Sequence, residues 1–158
     1  MTASLKIVSG GQTGVDRAAL EWALTNNVPH GGWCPHGRKA EDGVIPARFQ
    51  LTETVSSSYS VRTRWNIRDS DGTAIFSGNH PLTGGTKLTR ELALQLGKPM
   101  FHLCVTQGIV EAARQLRSFV ESHGIVTLNV AGPRASGEPD TGIFVRCVFD
   151  RAFKRFIP

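Results

Sequence analysis

Short apolar runs alternate with amphipathic segments along most of this chain, and that alternation restricts the fold more than any other feature. Leu5–Val8, Thr73–Ser77, Pro99–Val105 and Ile125–Ala131 have the length and composition of buried strands. Val28–Trp33 is a thinner candidate, because Gly31 and Gly32 dilute it. Between the runs, apolar residues fall at helical spacing. One set is Val15, Ala18, Ala19, Trp22 and Ala23, ending near Asn26 and Asn27. A second is Leu88, Leu92 and Leu96, with Gly97 placed to cap it. The others are Ile109, Ala113, Leu116 and Val120, stopping around His123–Gly124, and Val145, Phe149, Phe153 and Phe156. The phenylalanines of the last set share one helical face, which marks them as core. Strands alternating with helices of this length are joined by βαβ crossovers, and crossovers require parallel pairing. An α/β fold with a mostly parallel sheet of five to six strands follows.

The 158 residues suit one domain, 1–158, with enough chain to bury a core. Tyr59–Arg68 reads as helical and leads into the turn signal DSDG. Cys34–Ser58 is too long for a structureless loop. It either forms a lid over a site or holds small elements, with Phe49, Leu51 and Val55 suggesting an extended piece.

Hydrophobic content of 40% and charged content of 20% are ordinary for a soluble globular protein. No apolar run approaches the roughly 20 residues needed to cross a bilayer. The N-terminal MTAS passes directly into a strand without the regions of a signal peptide, and three cysteines do not make a disulfide framework. A cytoplasmic location is expected. A net charge of +5 favours anions in general. Arg151, Lys154 and Arg155 lie opposite an apolar stripe and read as a solvated helix face, so nucleic acid is not the expected partner.

In open parallel sheets, ligands bind where the strand-to-helix turns gather, at the carboxyl ends of the strands. Three such turns are rich in glycine and small polar residues: SGGQTG from Ser9, SGNHPLTGGTKLT from Ser77, and AGPRASGEPDTG from Ala131. A bare turn lets backbone N–H groups approach an anion, and the following helix adds its free amides and positive dipole end. Gly10, Gly11, Thr13 and Gly14 are thus candidates to hold one anionic group, and Thr83, Gly84, Gly85 and Thr86 another. Gly132, Pro133 and Arg134 would close the rim, with Ser77 at the end of its strand. Thr13 and Asp16 have a capping-box-like spacing, which suits Asp16 as a cap, a ribose-hydroxyl acceptor or a partner of Arg17. Arg38 and Arg48 are candidates to grip phosphate, and Asn66 and Asp69 to make polar contacts at the site's edge. GGQTG is neither the dinucleotide fingerprint GxGxxG nor a Walker loop. His30, Cys34 and His36 match no standard zinc spacing, so no protein metal site is expected.

The segments IVSGGQTGVDRAALEWAL, HGGWCPHGRKAEDGVIPARF, RTRWNIRDSDGTAIF, LTGGTKLT and LNVAGPRASG resemble the molybdenum carrier family. That family is the circularly permuted, YpsA-like branch of the SLOG superfamily, which includes the LOG-type phosphoribohydrolases. The resemblance spans nearly the whole chain. It implies a Rossmann-like three-layer sandwich, binding of molybdenum cofactor (molybdopterin) or a nucleotide at the glycine turns, and assembly as a dimer or tetramer. The phosphoribohydrolases carry a PGGxGTxxE turn with a catalytic glutamate. Here Thr83–Thr89 drops one glycine and sets Thr89 where the acid belongs, with Glu91 pointing elsewhere on the helix.

Three functions compete. A carrier or binding protein for a phosphorylated pterin or nucleotide is favoured. A nucleotide hydrolase or transferase would need Asp16, Asp42, Asp69 or Asp71 as general acid or base, with no means in the sequence of choosing among them. A nucleic-acid module, suggested by the pI of about 9.6, is third.

Overall fold

The computed structural model describes residues 4–78 and 81–154. The first strand, β1 (Lys6–Val8), pairs in parallel with β2 (His30–Gly31) on one side and with β9 (Thr127–Ala131) on the other. Beyond β9 lie β7 (Gly72–Ser77) and then β8 (Met100–Cys104), again parallel. The order β2-β1-β9-β7-β8 makes a five-stranded parallel sheet. β7 is buried at every position, as a central strand covered on both faces must be.

Five helices follow the periodicity of the sequence: α1 (Val15–Thr25), α2 (Tyr59–Arg68), α3 (Gly84–Gln95), α4 (Ile109–Ser122) and α5 (Thr141–Phe153). α5 packs between α1 and α4, while α2 packs on α3. The main core joins Ile7, Val15, Ala19, Trp22, Phe76, Leu116, Leu128, Val145 and Phe149. Trp22, Phe76, Phe149 and Phe153 interlock edge-to-face or tilted, so the aromatic stripe of α5 is core. Phe156 and Arg155 lie outside the described residues. A smaller cluster of Ile67, Leu92 and Ala93, with Leu88, Leu96 and Met100 packed against it, sits under α2 and α3. Gly97 follows α3 at φ +64°, and the next amide, of Lys98, returns to the Ala93 carbonyl, which is the closing turn expected of a glycine there.

The expected strand Val28–Trp33 divides into two. Gly32, at φ +124°, turns the chain, and a Cβ there would stand 2.4 Å from the Ser9 carbonyl oxygen. β2 therefore stays in the main sheet, while β3 (Trp33–Cys34) leaves to pair with β6 (Thr52–Glu53). Between them, a 3-10 turn at His36–Arg38 precedes a small hairpin of β4 (Lys39–Ala40) and β5 (Gly43–Val44). Cys34–Ser58 is thus a set of small elements. Its core of Cys34, Ala40, Ile45 and Phe49 closes against Leu20 of α1. No helix among the described residues is long and apolar enough to cross a membrane.

Candidate functional site

β1, β9 and β7 are neighbours in the sheet, so their carboxyl-end turns meet. The contact is close. A Cβ on Gly14 would lie 2.6 Å from the Pro133 carbonyl oxygen, and one on Gly132 would lie 2.5 Å from the Phe76 carbonyl oxygen. The Val15 amide donates to the Pro133 carbonyl, and the Ala135 amide donates to the Thr13 hydroxyl. Beside this junction opens a cleft of about 590 Å³, a volume typical of small-molecule sites. Its walls come from the β1 turn (Gln12, Asp16), from α2 (Tyr59, Arg62, Thr63), from the α3 entry (Thr83, Gly85, Thr86, Thr89) and from the β9 turn (Gly132, Pro133, Arg134). Ser77 and Glu138 also line it.

The two glycine-rich helix entries differ in what their amides do. At α1 the Gln12, Thr13 and Val15 amides are committed within the protein, while those of Gly14 and Asp16 have no hydrogen bond to a described residue. The Gln12 amide donates to the Asp16 carboxylate, Thr13 to the Gln12 side-chain oxygen, and Val15 to Pro133. The N-cap is Gly14, without a side-chain cap, and the Thr13 hydroxyl is held by Glu41 and Ala135 instead. At α3 no hydrogen bond from the Gly84, Gly85 or Thr86 amide to a described residue is present, and the first occupied amide is that of Lys87. A Cβ at Gly84 or Gly85 would meet nothing within 4 Å. α3 therefore offers free donors and open space together, the combination an anion needs.

Two buried polar atoms among the described residues lack a partner, Gln12 Nε2 and Arg62 Nε. Both residues line the cleft. Gln12 is 5% exposed, and its side-chain oxygen already accepts from Thr13 and Glu41, so its amide nitrogen is the part left over. Arg62 lies over Gly10, where a Cβ would stand 2.4 Å from Nε. The absence of a side chain at Gly10 is what admits the guanidinium. Buried donors without acceptors are costly, and a ligand oxygen would relieve the cost.

Asp16 is 5% exposed. Burial pushes its carboxyl up from 3.8 to about 6, against the pull of Arg62, the Gln12 amide and Arg17. Of the four aspartates considered for acid–base work, only Asp16 lines the cleft. Asp42 pairs with Arg17 at the surface. Asp69 is held down at about 2, first by its bond from Arg68, and also accepts from Trp33 Nε1. Asp71 accepts the Val126 and Thr127 amides at the base of β9.

Several candidates do not reach the cleft. Arg38 donates to the carbonyls of Ile45, Pro46 and Phe49, which holds the small insertion together. Arg48 pairs with Glu21. Asn66 is buried and brackets Trp33 with two bonds to its backbone. Arg17 donates to the Gly11 carbonyl and to Asp42, so its partner is not Asp16. The cleft residues that were not sequence candidates include Gln12, Tyr59, Arg62, Thr63, Thr89 and Glu138. Tyr59, Arg62, Thr63 and Asn66 lie three and four apart, the spacing of one helix face, and that polar stripe was the available signal. Ser77 Oγ lies 2.6 Å from His102 Nε2, across from β7 on β8.

A family model for the circularly permutated YpsA SLOG family matches residues 7–153. The chain belongs to that family. It is also 43% identical to a protein of Syntrophus aciditrophicus SB, provisionally named a molybdenum carrier protein, whose crystal structure superposes with a TM-score of 0.93 over 96% of each chain. No curated protein matches. In this member of the YpsA SLOG family, Thr89, which the sequence resemblance sets where the phosphoribohydrolases carry a glutamate, donates its hydroxyl back to the Gly85 carbonyl within α3. Glu91 faces Lys87 at 4.0 Å on the exposed side. Among the described residues the carboxylates that line the cleft are Asp16 and Glu138.

Proposed function

We propose that this protein binds and carries a small phosphorylated ligand, molybdenum cofactor or a nucleotide derivative, in the cleft between α2, α3 and the β9 turn. The observation that carries the reading is the pair of buried, partnerless donors, Gln12 Nε2 and Arg62 Nε, in a cleft that also holds the unused amides of α3. A phosphate at Gly85–Thr86 would accept those amides and the helix dipole. The heterocycle of a pterin or purine would lie toward Asp16 and Gln12, where a carboxyl and a carboxamide can face ring N–H and carbonyl groups. The donor set therefore fits the pterin and phosphate of the cofactor. None of the three cysteines lines the cleft, so a molybdenum centre would travel on its own organic ligand as cargo.

The second reading, a nucleotide-processing enzyme, is favoured by one observation. Asp16 has a carboxyl held near 6, within the range where a group can both give and take a proton. Both of its roles in the folded loop, acceptor for Gln12 and neighbour of Arg62, would persist in such an enzyme.

The test is thermal shift with molybdenum cofactor, AMP, ADP-ribose and molybdate. One of the organic anions should raise the melting temperature in a dose-dependent way, because a ligand at about 100 times its Kd adds about 2.7 kcal/mol to native stability. A Thr86→Glu variant, which places a carboxylate at the α3 amides, should abolish that rise. No stabilisation by any of the four would overturn the carrier reading. Turnover of AMP or ADP-ribose that disappears in Asp16→Asn would favour the enzyme.

A further inference from the structure

Tyr59, the first residue of α2, stands among three cations. Lys39 Nζ lies 4.4 Å from the ring centroid, Arg62 Cζ 5.3 Å and Arg134 Cζ 5.6 Å. They reach the ring from three segments: the β4 hairpin, α2 itself and the β9 turn. Tyr59, Arg62 and Arg134 line the cleft, and Lys39 flanks the same ring.

No ion pair involving Lys39, Arg62 or Arg134 occurs among the described residues, whose pairs all use other cations. The carboxylates nearest in effect are already engaged. Glu41, in the field of Arg134, accepts from Thr13 and from Ser136. Glu138 accepts the Gly78 amide and the Thr141 hydroxyl. Asp16, in the field of Arg62, is itself pushed toward its neutral form by burial. A ring face attracts a cation only modestly, and three like charges gathered at one ring repel each other. A polyanion at this place would remove the repulsion and supply the acceptor that Arg62 Nε lacks.

The same cleft has a separate anion-binding feature in the free amides at the start of α3. The two groups of donors belong to different elements, the α3 entry on one hand and the β4 hairpin, α2 and the β9 turn on the other. Two linked phosphates would give each group its own anion, since guanidinium groups bind phosphate in charge-assisted, bidentate fashion while helix amides bind another.

We propose that Lys39, Arg62 and Arg134 around Tyr59 form a second phosphate subsite, so that the ligand of this cleft is a diphosphate compound, a nucleoside diphosphate or an ester of one. The inference rests on the anion-binding reading of the cleft and narrows it.

The experiment is isothermal titration with four probes: inorganic phosphate, pyrophosphate, AMP and ADP. It uses the wild-type chain, a Lys39→Gln/Arg134→Gln double variant, and Arg48→Gln as a control that removes a surface cation elsewhere. Lys39 and Arg134 are both exposed, so the double variant keeps the fold, which circular dichroism verifies. The wild type should prefer pyrophosphate to phosphate and ADP to AMP by about tenfold or more. The double variant should lose most of that preference, and Arg48→Gln should retain it in full. Equal affinity for AMP and ADP in the wild type, or a preference that survives the double variant, overturns the second subsite and leaves the α3 site standing. Absence of binding by all four probes overturns both.

Discussion

Replacing Asp16 with asparagine tests the electrostatics of the cleft directly. Asp16 is the one cleft carboxyl whose pKa burial shifts strongly upward, from 3.8 to about 6. That gap corresponds to about 3 kcal/mol between the two protonation states. The sign follows from where the proton sits. Between about pH 4 and 6 the unfolded chain has released the proton while the native state keeps it, so native stability falls as pH rises through this window. Above about pH 6 the loss is complete and constant. Asparagine cannot ionise and keeps one oxygen to accept the Gln12 amide, so the variant escapes that loss. The stability difference, variant minus wild type, should therefore move in the variant's favour by about 2 kcal/mol between pH 4 and pH 7.5. Urea unfolding at several pH values, followed by circular dichroism, measures it. The subtraction matters because Glu41, Asp42, Asp69 and Glu111 are all held below their ordinary values and make the whole protein lose stability as pH falls. Those contributions are common to both proteins and cancel. A difference that stays constant from pH 4 to 7.5 would refute the claim that burial governs Asp16.

The glycines should separate by role. Gly14→Ala should destabilise the fold by about 2–4 kcal/mol, because φ +80° and a 2.6 Å approach to the Pro133 carbonyl leave no place for a methyl group. Gly85→Ala, which meets nothing, should leave thermal stability unchanged or raise it by up to about 1 kcal/mol, measured by the same unfolding assay. Arg38→Ala should cost about 2 kcal/mol or more by releasing three carbonyls of the insertion, and it should leave ligand-induced stabilisation at the cleft intact. Asn66→Ala should cost about 2–3 kcal/mol through the two buried bonds it makes to Trp33, again with no direct effect on ligand affinity.

Periodicity alone carried most of the fold. The helix at Tyr59–Arg68 and the strand after it, Gly72–Ser77, are local matters, decided by which neighbours are apolar and at what spacing. Gly97 as a cap and the phenylalanines of α5 as core were legible for the same reason. Sequence also located the glycine turns, because only a residue without a side chain permits backbones to pass as closely as Gly14 and Pro133 or Gly132 and Phe76. What it could not assign was the use of each turn. SGGQTG and LTGGTKLT look equivalent as strings. In the folded chain the Gln12 and Thr13 amides of the first, and that of Val15 just after it, are taken by Asp16, Gln12 and Pro133, whereas the Gly84, Gly85 and Thr86 amides of the second have no described acceptor. Two of those acceptors are local, and the third, the Pro133 carbonyl 118 residues from Val15, is brought in by the adjacency of β1 and β9 in the sheet. The docking of α2 on α3 brings Arg62 and Tyr59 to the cleft, whereas Arg38 is held by carbonyls of the insertion and Arg48 by Glu21. Composition and spacing fix which segments can be strand, helix or turn. Hydrogen-bond satisfaction across distant segments decides which donors remain for a ligand, and only the tertiary structure sets that balance.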